Sequence, residues 1–156
     1  MKDTPLKKLE SLGQSIWLDF ISRGMLDSGD LRRLINEDGV SGVTSNPSIF
    51  EKAIAESSDY DDTIRSLALE EKSAAEIYEE LVVEDIRRTA DLLRPLYDRL
   101  EGRDGFVSLE VSPHLARDSA GTLSEARHLW SRVDRPNLLI KVPGTPEGIT
   151  AIRRLI

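Results

Sequence analysis

Four short aliphatic runs, each followed by a segment of helical period, predict an α/β chain built on a parallel sheet. The runs are Ser15–Phe20 (SIWLDF), Gly42–Ser45 (GVTS), Phe106–Val111 (FVSLEV) and the stretch Asn137–Val142 (NLLIKV). They are continuous rather than alternating, the pattern of strands covered on both faces. Strand–helix alternation leaves two solutions, an open doubly wound sheet or part of a (β/α)8 barrel. A whole barrel takes about 250 residues. With 156 residues and four visible strands, a barrel reading makes residues 1–156 a single domain holding about the first four β/α units.

The intervening segments read as helices in order. Leu26–Asn36 places Leu31, Leu34 and Ile35 on one stripe, with Asp27 or Ser28 as N-cap. Ser48–Ala55 follows Pro47, a residue suited to a first helical turn. Asp59, Asp61 and Asp62 read as acids of a first turn rather than a calcium loop, since the glycine and distal glutamate of such a loop are missing. Ser73–Leu100 is the longest helical stretch, and Pro95 inside it predicts a kink or break near Leu93–Arg94. Thr122-Leu-Ser-Glu125 has the form of a capping box, and Thr145-Pro146-Glu147 starts a last helix. Trp17 and Trp130 read as core residues.

Composition excludes several functions. The chain has 21 Lys+Arg against 28 Asp+Glu, a net charge of −7, which argues against a nucleic-acid surface. It has no cysteine, so thiolate chemistry and disulfides are out, and His114 and His128 are too far apart for a short-spaced metal motif. No cofactor or metal is expected. No apolar run approaches the roughly 20 residues that cross a bilayer, and the basic N-terminus has no apolar segment behind it. A cytoplasmic protein is expected.

The informative residues are polar side chains in the aliphatic runs, because burying them unpaired is costly. Asp19 ends the first run, Thr44, Ser45 and Asn46 end the second, Glu110 sits in the third and Lys141 in the fourth. In a parallel barrel the C-terminal strand ends share one mouth, where reacting groups collect. Lys141 lies among Leu138, Leu139, Ile140, Val142 and Pro143, and hydrocarbon favours the neutral amine, a nucleophile for carbonyl carbon. The alternatives are ordinary ones. Lys141 could snorkel to water, Asp19 could cap a loop, Glu110 could form a buried ion pair, and Asn46-Pro47 could be a turn.

Two segments carry a resemblance. Gly42-Val-Thr-Ser-Asn-Pro-Ser-Ile-Phe50 and Leu139-Ile-Lys-Val-Pro-Gly-Thr-Pro-Glu-Gly-Ile149 resemble the two transaldolase signatures, the second carrying the Schiff-base lysine. SIWLDFISRGML and SLEVSPHLA resemble the longer bacterial branch of actinobacteria and cyanobacteria. The resemblance implies a class I aldolase-type TIM barrel of the pentose phosphate pathway. Such an enzyme moves a dihydroxyacetone unit from sedoheptulose 7-phosphate or fructose 6-phosphate to an aldose phosphate.

Carried over by position, Lys141 forms the imine with the donor C2 carbonyl. Asp19 takes the C4 hydroxyl proton, and Glu110 works through a water on the carbinolamine. Asn46, with Thr44 and Ser45, holds hydroxyls of the three-carbon fragment. Glu110 also separates the chain from fructose-6-phosphate aldolases, which resemble it but carry Gln there.

The family's phosphate-binding Ser and Arg come from later strands, and none can be assigned here. A segment of this kind is therefore expected to be inactive alone and to associate with copies of itself through its exposed sheet edges, with sugar phosphates as ligands of the complete enzyme. Two other readings stand beside it: a different Schiff-base aldolase, and a non-catalytic half-barrel assembly module.

Overall fold

The computed structural model describes residues 4–156; the first three residues of the basic N-terminal stretch lie outside them. Four parallel strands form one sheet: β1 (Trp17–Leu18), β2 (Gly42–Thr44), β3 (Phe106–Glu110) and β4 (Leu138–Lys141). Their order across the sheet is β1-β2-β3-β4. Sequential order without reversal is the winding of a barrel, whereas a doubly wound sheet turns back at a switch point.

Helices follow each strand. α2 (Arg23–Ser28), α3 (Asp30–Arg33) and a π-turn (Leu34–Asp38) come after β1; α4 (Pro47–Ala55), α5 (Asp61–Leu69) and α6 (Ala74–Arg99) come after β2. α7 (Ser119–Val133) follows β3 and α8 (Pro146–Leu155) follows β4. A short α1 (Pro5–Ser11), where the sequence suggested no element, precedes β1; Thr4 Oγ1 caps it by accepting from the Lys7 N–H.

Side-chain alternation divides the sheet into two faces. Val43, Val107, Leu109 and Leu138 point to the helices and are buried among Ile86, Ala90 and Leu93 of α6 and Ala126, Leu129 and Val133 of α7. The other face carries Trp17, Gly42, Thr44, Phe106, Ser108, Glu110, Leu139 and Lys141. No helix layer covers this face among the described residues, and Leu139 is 42% exposed. The continuous aliphatic pattern predicted cover on both faces, but within this chain only the helix side has it.

Several helix boundaries differ from the sequence reading. The helix after β1 starts at Arg23, capped by the Ser22 hydroxyl, and breaks at Gly29 (φ 80°), so neither Asp27 nor Ser28 is its N-cap. α7 starts at Ser119, with Asp118 accepting from the Ala120 and Gly121 N–H groups. Thr122 and Glu125 are thus inside the helix and form no capping box. They bind outward, Thr122 Oγ1 donating to the Leu115 carbonyl (2.9 Å) and Glu125 Oε2 accepting from the Ser112 N–H (3.1 Å). A capping box does form at Ser73 and Glu76.

α6 runs unbroken through Pro95, because the proline is on the exposed side while Leu93 and Leu96 stay packed in the core. Trp130 is 48% exposed on α7 and is no core residue. Trp17 is half-buried and lies flat over Gly42, where a Cβ would meet the indole at 2.3 Å.

Candidate active site

β3 and β4 pair in register with Glu110 opposite Lys141, so both side chains leave the sheet on the same face at its C-terminal end. Lys141 Nζ lies 3.2 Å from Glu110 Oε2. It also donates to the Ser45 carbonyl (2.9 Å) and is 3.4 Å from Thr44 Oγ1. These three acceptors match the three protons of an ammonium. Lys141 is therefore set in polar surroundings, with its side chain 39% exposed, rather than in the hydrocarbon that its sequence neighbours suggested. Its alternating neighbours Leu138 and Ile140 point to the helices instead.

The arrangement has a definite chemical capacity. A lysine must be neutral to attack a carbonyl, and a carboxylate 3.2 Å away can take the proton and return it. Thr44 Oγ1 accepts from Lys141 and from Ser108 Oγ (3.0 Å). Both lone pairs of the Thr44 hydroxyl are thereby engaged, and its proton has no acceptor among the described residues.

Ser108 is a site residue that the sequence reading missed. It sits two places before Glu110, and the period of 2 along a strand was the signal that places both on one face.

The other predicted residues fall in different situations. Ser45 is fully buried and its hydroxyl donates to the Ser108 carbonyl (2.8 Å), so its backbone rather than its side chain meets Lys141. Asn46 caps α4, its Oδ1 accepting from the Ile49 N–H (3.0 Å), while its NH2 makes no bond among the described residues. Asp19 is exposed one residue beyond β1. Extending the register puts it level with Thr44, and it makes no hydrogen bond or ion pair among the described residues. The structure thus unites Lys141, Glu110, Thr44 and the Ser45 backbone, and leaves Asp19 at the same end of the sheet without contact to Lys141.

The loops carrying these groups are latched together. Thr145, the N-cap of α8, accepts from the Gly148 N–H (3.0 Å) and donates to the Ala116 carbonyl in the loop after β3. Ser119 Oγ donates to the Glu147 carbonyl (2.8 Å). A cleft of about 400 Å³ opens beside Glu110, lined by Asn46, Phe50, Tyr78, His114 and Leu129. A larger one of about 740 Å³, lined by Lys7, Arg32, Ser41, Pro95 and Arg99, lies at the opposite end of the sheet and includes none of these groups. No cluster of acidic and histidine side chains able to hold a metal is present among the described residues, and none of their helices is long and apolar enough to cross a membrane.

A parallel sheet of sequential, barrel-type winding, with a lysine–glutamate pair at its C-terminal end, places the chain among α/β proteins built as part of a TIM barrel. Residues 16–156 match the family model described as transaldolase/fructose-6-phosphate aldolase, a TIM-barrel family, and the chain belongs to that family. It is 58% identical over 149 residues to a transaldolase of Thiobacillus denitrificans, covering 96% of this chain and 42% of the relative. It is 52% identical over 149 residues to one of Thermobifida fusca (96% and 40%) and 48% over 151 residues to one of Trichodesmium erythraeum (97% and 40%). The chain spans about two-fifths of the length of the curated relatives it matches, and holds a partial barrel.

Proposed function

We propose that this chain carries the reaction centre of a transaldolase, in which Lys141 condenses with the C2 carbonyl of sedoheptulose 7-phosphate or fructose 6-phosphate. The observation that carries the reading is the Lys141–Glu110 pair, in register on adjacent strands and 3.2 Å apart. Attack of the neutral amine forms a C–N bond, and Glu110, through a water, supplies the proton with which the carbinolamine loses hydroxide as water. The protonated imine then accepts the electron pair of the C3–C4 bond as Asp19 removes the C4 hydroxyl proton. The aldehyde half leaves, and the dihydroxyacetone unit stays on Lys141 until an aldose phosphate takes it. Asn46 and Thr44 hold hydroxyls of that unit, and the Asn46 NH2 and the Thr44 hydroxyl proton, neither with an acceptor among the described residues, support the assignment. Ser45 contributes through its carbonyl.

Residues 1–156 act as one domain of a cytoplasmic enzyme. Alone, the chain forms the imine but sustains little transfer, since the face bearing Lys141 is open and transition-state positioning depends on surrounding walls. The unpaired edges of β1 and β4 support self-association, which sedimentation at micromolar concentration tests; a monodisperse monomer would refute it.

A second reading is favoured by the family description, which covers fructose-6-phosphate aldolases as well. Assays with fructose 6-phosphate, with and without erythrose 4-phosphate, separate the two. Transfer that requires the acceptor supports a transaldolase, and release of free dihydroxyacetone supports the aldolase. A rate for this chain equal to that of a full-length relative would overturn the view that the open face limits it.

A further inference from the structure

A heavily bonded, buried ion cluster lies remote from Lys141 in sequence. Arg23, the first residue of α2, is 5% exposed; Asp85 of α6 and Tyr60, which precedes α5, are fully buried. Arg23 Nε lies 3.1 Å from Asp85 Oδ1, Nη2 lies 2.7 Å from Glu84 Oε2, and Nη1 lies 3.0 Å from Thr63 Oγ1. The Tyr60 hydroxyl accepts from the backbone N–H of Arg23 (2.9 Å) and donates to Asp85 Oδ2 (2.8 Å). The guanidinium also stacks over the Tyr60 ring at 4.7 Å.

Burying such a cluster is a poor way to gain stability, because desolvation of the charges offsets most of their attraction. What it supplies is direction. Both Asp85 oxygens, all three Arg23 nitrogens and both functions of the Tyr60 hydroxyl are engaged, so the partners have one mutual arrangement.

Two connections to the candidate active site follow, together with one close contact between the connected segments. Arg23 is four residues after Asp19, and only Ile21, 1% exposed, and the capping Ser22 anchor the chain between them. β1 has just two paired residues and holds Asp19 weakly by itself. On the other side Tyr60 packs with Ala53 of α4, the helix capped by Asn46. Gly24 lies so close to Asp59 that a Cβ there would come within 2.7 Å of its carboxylate.

We infer that Arg23, Tyr60 and Asp85 form a positioning clamp that fixes, relative to each other, the segment after β1 carrying Asp19 and the segment after β2 carrying Asn46. The clamp's catalytic meaning rests on the proposed function, but its mechanical claim does not. The three residues touch no reacting atom and act through the two segments they join.

Tyr60→Phe keeps the ring and its stacking but removes the hydroxyl between Arg23 and Asp85; Asp85→Asn keeps the shape and removes the charge. Amide exchange of the Met25 and Leu26 N–H groups, bonded to Ser22, reports the first segment, and that of Ile49 and Phe50, bonded to Asn46, reports the second. In either variant both pairs exchange about tenfold faster, while Val107 and Val111 in the sheet are unchanged. Borohydride trapping of dihydroxyacetone then shows a raised half-saturation concentration with an unaltered limiting rate, because Lys141 and Glu110 lie outside the clamp.

Uniform acceleration of all amides, or acceleration of one segment alone, overturns the inference. So does an unmoved half-saturation concentration in a variant that traps. If neither variant folds, native-state exchange of the unsubstituted chain decides: the two segments open with one denaturant dependence if clamped, and with two if not. Absence of any trapping by the unsubstituted chain would defeat the proposed function and leave the exchange result standing.

Discussion

Glu110 and Lys141 face each other across β3 and β4 with carboxylate oxygen and amine nitrogen 3.2 Å apart. Strand register alone produces this juxtaposition, and both side chains remain partly open to solvent, 25% and 39% exposed. An ion pair so exposed is worth no more than about 1 kcal/mol. Glu110→Ala should thus leave thermal stability nearly unchanged while slowing imine trapping on Lys141 by on the order of 10²-fold, the typical worth of a positioned acid–base group. Trapping at the unsubstituted rate would make the pair an ornament of the sheet.

Thr44 and Ser108 give a graded pair of substitutions. Ser108→Ala removes one half-buried hydrogen bond and should cost about 1 kcal/mol in urea unfolding, with a mild slowing of trapping. Thr44→Val removes the hydroxyl beside Nζ itself and should slow trapping more strongly. The reverse ranking would contradict the bond accounting at Thr44.

Gly42 has no room for a methyl group, since its Cβ would sit 2.3 Å from the Trp17 ring. Gly42→Ala should cost about 1–3 kcal/mol and expel the indole, shifting tryptophan emission to the red. An unshifted spectrum would mean Trp17 does not lie over this strand.

The Ser73–Glu76 capping box predicts a pH dependence. The Ser73 hydroxyl, with its backbone N–H, holds the Glu76 carboxyl below its ordinary value of 4.5. Folding therefore favours the ionised form, and this contribution is fully present above that value and lost as pH falls through the depressed one. The stability difference between the unsubstituted chain and Ser73→Ala should be largest near neutral pH and shrink in acid, as thermal unfolding across pH 3–7 will show. A difference independent of pH would contradict the assignment.

Much of this architecture was legible in the sequence, and the reasons are physical. The four aliphatic runs each gave a strand, shortened at the ends where Asp19 and Ser45 leave the ladder. Thr145-Pro146 started α8 as read, because cap and proline chemistry is local. Boundaries set by tertiary contacts were not legible. Asp118 begins α7 before Thr122, whose hydroxyl is drawn to the Leu115 carbonyl, and packing on both sides of Pro95 keeps α6 continuous.

At the site, Lys141 and Glu110 were readable as polar residues in apolar strands. Ser108 hid behind its commonness, and the Arg23–Tyr60–Asp85 cluster joins residues too distant in sequence for any local pattern to connect them.

The central claim is that Lys141 bonds covalently to a ketose. Incubating the chain with fructose 6-phosphate, reducing with borohydride and mapping the peptides by mass tests it directly. The account predicts one adduct, on the peptide containing Lys141, abolished in Lys141→Ala. No adduct, or one on Lys7, Lys52 or Lys72 instead, would contradict it.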